Sequence, residues 1–87
     1  MIVQAEVSLY PLGREHLSGP IGEFLRVIEE KNLQIETGPM SSIVTGENAD
    51  VFDALGKAFG RICESGPAVL CIKVSNACPR PEGKGER

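Results

Sequence analysis

The side chains with the widest chemical reach lie near the start of the chain. Gln4, Glu6, Ser8 and Tyr10 alternate with Val3, Ala5, Val7 and Leu9. In an extended segment that spacing puts an amide, a carboxylate, a hydroxyl and a phenol on one side, so one small ligand could touch Glu6, Ser8 and Tyr10 together. Glu6 stands out because acidic residues are depleted in strands. It can offer a carboxylate to a cationic or amino-bearing molecule, or it can be a solvated or inter-subunit position. A second polar group runs through Ser41, Ser42, Thr45, Gly46 and Glu47. Gly46 permits close backbone approach, and a helix starting just beyond it would favour an anion; the alternative is plain turn and capping chemistry. A third group closes the last apolar run, Ser75-Asn76-Ala77-Cys78-Pro79. Asn76 can donate to and accept from a heterocycle edge and Cys78 can line an apolar pocket, or the two can serve a strand end and the core.

Several chemistries lack their parts. His16 is the single histidine, which leaves a histidine-based metal site or hydrolytic triad without members. Cys63, Cys71 and Cys78 are three in number with no CxxC pair, and so read as reduced thiols rather than a disulfide framework or zinc site. Cys78 has no recognisable base, and no phosphate-binding glycine motif occurs. Neither an enzyme nor a cofactor is expected. Nine Lys and Arg against twelve Asp and Glu give a net charge of −3, which argues against nucleic acid. The apolar runs are too short to span a bilayer and Met1-Ile2-Val3-Gln4 does not open a signal peptide, so a cytoplasmic protein is expected.

These residues need elements to position them. With 87 residues the chain makes one domain, and its small size favours association with other copies. The alternation over residues 2–10 predicts a strand. After Pro11-Leu12-Gly13, Ser18 is a plausible N-cap, and Ile21, Phe24, Leu25 and Ile28 form the inner stripe of a helix ending near Asn32. Short strands follow at Leu33–Thr37 and Met40–Thr45. Asn48 or Asp50 caps a second helix, with Val51, Phe52, Leu55, Ala58, Phe59 and Ile62 inward as far as about Ser65. Ala68–Ser75 predicts a last strand, central in the sheet because it is rich in β-branched residues. The fold class expected is α+β: a ferredoxin-like split βαβ with a four-stranded antiparallel sheet and two helices on one face. The domain spans residues 1–79, and residues 80–87, with no apolar anchor, are expected to form a disordered tail. Gln4, Glu6, Ser8, Tyr10 and Lys73 then lie on the open sheet face, through which the chain is expected to assemble as a homodimer or homotetramer.

Taken as a set, Gln4–Gly13, Gly38-Pro39-Met40-Ser41-Ser42-Ile43-Val44-Thr45-Gly46, Val51-Phe52-Asp53-Ala54-Leu55 and Val74-Ser75-Asn76-Ala77-Cys78-Pro79 resemble the thiamine/hydroxymethylpyrimidine-binding (YkoF-like) family, in its single-domain form. The resemblance covers about residues 2–79. It implies ferredoxin-like domains that associate through their sheets as homodimers or homotetramers, and a protein that binds thiamine or its hydroxymethylpyrimidine moiety in salvage or transport. The positions it matches are Ser8, Tyr10, Ser42, Thr45, Asn76 and Cys78; with Glu6 these are the candidate ligand-binding residues, and no metal ligand is among them. The rival reading is a regulatory or structural oligomer whose polar positions only build interfaces.

Overall fold

The alternation at the start of the chain folds as strand β1, Ile2–Pro11, with Val3, Ala5 and Val7 turned inward and buried. A computed structural model describes residues 1–13 and 18–77. His16, Cys78 and the expected tail from Arg80 onward lie outside the described residues. The chain continues as α1 (Ser18–Glu29), β2 (Gln34–Thr37), β3 (Ser42–Glu47), α2 (Asn48–Cys63) and β4 (Ala68–Ser75). β1 pairs antiparallel with both β3 and β4, and β3 pairs with β2, in the order β2-β3-β1-β4. This is the expected α+β arrangement, a four-stranded antiparallel sheet with two helices.

The core lies between the sheet and the helices. Val3, Ala5, Val7 and Val44 meet Phe24, Val27 and Ile28 of α1 and Val51, Ala54, Leu55, Ala58 and Ile62 of α2. Two helix faces differ from the expected stripes. On α1, Val27 is buried while Ile21 and Leu25 are half-buried. On α2, Ala54 is buried, Phe59 is half-buried and Phe52 is 49% exposed. α2 packs against α1, with Asp53 and Arg61 on the flank that meets Lys31 and Glu23, and at 100° per residue Phe52 and Phe59 fall on the opposite flank. β4 is an edge strand, not a central one. Its β-branched residues reflect the half-buried pleat, which an edge strand shares with a central one.

Capping of α2 also departs from expectation. Its N-cap is Glu47, extended and without a side-chain cap bond, because the Glu47 carboxylate instead meets the Met1 amino group at 3.0 Å. Gly46 is needed for space. It pairs with Val3 on the helix side of the sheet, where an added Cβ would run into the Leu33 side chain and come within 3.7 Å of Val51. Ion pairs brace the helices at the surface: Lys31 Nζ lies 2.7 Å from Asp53 Oδ2, Lys57 adds a second contact at 3.3 Å, and Arg61 Nε lies 3.2 Å from Glu23 Oε2.

Gly46→Ala is expected to cost about 1–3 kcal/mol by overpacking against Leu33, read as a lower urea midpoint. The hydrogen bonds from Lys31 and then Lys57 hold the Asp53 carboxyl below its ordinary 3.8. A depressed carboxylate pKa contributes stability that is present above the ordinary value and lost as pH falls through the folded one. Both partners are partly exposed, so the effect is small. The melting temperature of Asp53→Asn should therefore lie slightly below that of the wild type at about pH 7, and the gap should close by about pH 2.

Candidate functional site

The β1–β3 ladder ends at Val7 opposite Ser42, while β1 runs on to Pro11 paired only with β4. Where β3 stops, the turn after β2 swings away through Gly38, Pro39 and Met40, held by the Gly38 N–H donating to the Ser41 carbonyl at 2.8 Å. A slot of about 150 Å³ opens between that turn, the continuing β1 and the first half of α1. Its walls are apolar, formed by Val7, Leu9, Ile21, Phe24, Leu25 and Met40, and Ser8, Ser41 and Ser42 add polar groups. Because the slot crosses the end of a ladder, β1 residues of both parities reach it. Ser8 belongs by alternation to the open sheet face and still lines it.

Ser42 is the distinctive group. It is only 9% exposed, yet its hydroxyl makes no hydrogen bond to any described residue. Buried polar groups without a partner are rare in folded proteins, and one lining a cavity is poised to bond whatever enters. Ser41 is already engaged: its Oγ donates to Glu6 Oε2 at 3.1 Å. No titratable side chain is among the described residues that line the slot.

A family model, that of the YKOF-related family, matches residues 2–81. The chain belongs to that family. No curated protein matches it. Among solved structures it is similar to a hypothetical protein from Methanocaldococcus jannascii, with a TM-score of 0.83 at 23% identity over 91% of this chain and 84% of that one. A protein from Streptococcus pneumoniae gives a TM-score of 0.85 at 13% identity over the whole of both chains. A candidate thiamine biosynthesis/salvage protein from Thermotoga maritima gives 0.82 at 18% identity, covering 97% of this chain and 95% of that one. These likenesses establish the fold.

Within this YKOF-related domain the sequence-predicted residues separate into groups. Ser8 and Ser42 both line the slot, Ser42 from the helix side of the sheet and Ser8 from the other parity. Glu6 lies on the open face, where its Oε1 stands 3.9 Å from Lys73 Nζ, and it borders a groove of about 360 Å³ with Gln4, Ile43, Lys73, Val74 and Ser75. Thr45 shares that face because it pairs with Gln4, whose amide nitrogen donates to the threonine hydroxyl at 3.5 Å. Thr45 and Ser42 thus point to opposite sides of the sheet, as their odd spacing requires. Tyr10 is 52% exposed at the far end of β1, opposite Val69. Asn76 lies beside Met1, its amide 3.5 Å from the thioether sulfur, at the end of the sheet away from the slot. Cys78 lies outside the described residues. Sequence reasoning assigned Phe24, Leu25 and Ile21 to the core alone. The Gly38-Pro39 turn beside two serines marks the slot's rim, but only the unequal ladders reveal the cavity. Among the described residues no three of His, Cys, Asp or Glu gather as a metal site, and no helix is long and apolar enough to cross a membrane.

Proposed function

We propose that this YKOF-related protein binds thiamine or its hydroxymethylpyrimidine moiety in salvage or transport, without turning it over, and that the pyrimidine ring occupies the slot between α1 and the β2–β3 turn. Ser42 carries the reading: a buried hydroxyl with no partner among the described residues, inside an apolar cleft, calls for a flat ligand with polar atoms on its edge. An aminopyrimidine has those properties. Its ring nitrogens accept from a hydroxyl, its exocyclic amine donates to one, and its faces stack on apolar walls such as Phe24 and Met40. The family membership and the likeness to a candidate thiamine biosynthesis/salvage protein support the same ligand class.

Calorimetry with thiamine and with hydroxymethylpyrimidine tests this. Ser42→Ala should weaken binding by about 1–3 kcal/mol, roughly fivefold to a hundredfold, because a ligand atom loses its partner in a desolvated site. Asn76→Ala and the exposed helix variant Glu29→Ala should leave affinity unchanged. No binding by the wild type would refute the ligand class. Equal affinity in wild type and Ser42→Ala, with a loss in Asn76→Ala, would place the ring elsewhere.

A further inference from the structure

The slot reaches both faces of the sheet. Ser42 lines it from the helix side, opposite the buried Val7, whereas Ser8 and Ser41 line it with the parity of Glu6 and Ile43, which belong to the open face. Beyond Val7 no described strand accompanies β1 on the β3 side, so the slot passes through the plane of the sheet and comes out between Ser8 and Ser41. Glu6 stands at that exit. Its Oε2 accepts from the Ser41 hydroxyl at 3.1 Å, which puts a carboxylate one hydrogen bond from the slot wall. Among the described residues its Oε1 has only Lys73 nearby, at 3.9 Å, and that ammonium is 88% exposed, so the pair is loose and screened. Glu36 shares the open face one strand further on, opposite Ile43. Two carboxylates against one ammonium make the exit negative. On the helix side the acid of the first half of α1, Glu23, is already paired with Arg26 and Arg61.

Size limits how much of a ligand the slot holds. Its volume of about 150 Å³ is half of the roughly 300 Å³ at which sites for drug-sized ligands begin, room for one six-membered ring with its substituents and not for two joined rings. A second ring must lie outside. We infer that, with the pyrimidine in the slot, the thiazolium of thiamine emerges on the open face beside the Glu6 carboxylate, and that Glu6 makes the site select a positively charged pyrimidine derivative over a neutral one. The inference rests on the pyrimidine reading of the slot. A thiazolium nitrogen is quaternary, so its charge is permanent, and the single methylene between the two rings keeps that charge near the exit. Free hydroxymethylpyrimidine ends within the slot and gains nothing from Glu6. Lys73 competes with the ligand for the same carboxylate. The groove beside Glu6, Ile43 and Lys73 leaves the emerging ring space to settle against the sheet.

Calorimetry on the full chain tests this by comparing thiamine with its neutral analogue, in which a thiophene replaces the thiazolium and the shape is kept. At low salt the wild type should bind thiamine about twofold to fivefold more tightly than the analogue, the range for an exposed ion pair. Glu6→Gln keeps an acceptor for Ser41 and should abolish that preference by weakening thiamine alone. Lys73→Met removes the competing ammonium and should widen it. Salt at about 1 M, where the screening length falls to about 3 Å, should erase it in the wild type without touching the variants' affinity for the analogue. Equal affinity of the wild type for the two ligands, or a preference that survives in Glu6→Gln, would overturn the inference; the ring reading would still stand if Ser42→Ala weakened both ligands. Binding of both ligands that Ser42→Ala leaves unchanged would take the ring out of the slot and overturn the inference along with that reading.

Discussion

The unequal length of two ladders on one strand governs this domain. Of the ten residues of β1, the eight from Gln4 to Pro11 pair with β4, but β3 accompanies it only as far as Val7. Had β3 run on, its side chains would fill the space beneath α1 and the slot would not exist. Because it stops, the turn through Gly38, Pro39 and Met40 must leave the sheet, and the first half of α1 stands over a gap rather than over a strand. Ile21 and Leu25 stay half-buried for the same reason that Ser42 is buried without a partner among the described residues. The apolar wall and the buried hydroxyl are two consequences of one missing stretch of ladder.

Much of this was readable in the residues. Alternation in β1 assigned Val3, Ala5 and Val7 to the core, and the helical periodicity found Phe24, Ile28, Val51, Leu55 and Ile62, because burial imposes those periods directly. The errors have a common origin in contacts between elements. Phe52 fits the inner stripe of α2 by spacing, yet it lies on the flank away from Asp53 and Arg61, which face α1, and is exposed. β4 has the composition of a central strand and lies at the edge, since strand order depends on the crossovers and not on the strand's own residues. The candidate site was legible in part. Ser8 and Ser42 were identified by type and both line the slot, whereas Glu6, Thr45, Tyr10 and Asn76 lie elsewhere on the sheet. Parity alone separates Ser42 from Thr45, and register separates Asn76 from the slot.

The slot lies at the α1 side of the molecule, beside the short β2 edge. Glu6, Gln4, Thr45 and Lys73 remain on the open face, where the ion pair and the amide–hydroxyl bond already satisfy much of their polar capacity.

The central claim is that ligand enters where β3 ends. Amide chemical-shift mapping of the labelled protein titrated with hydroxymethylpyrimidine locates the contact residue by residue. The account predicts shifts concentrated at Val7, Ser8 and Leu9, at Phe24 and Leu25, and from Gly38 to Ser42, with Gln4, Lys73 and Asn76 unmoved. Shifts centred on Gln4, Glu6 and Lys73 would place the ligand on the open face and contradict it.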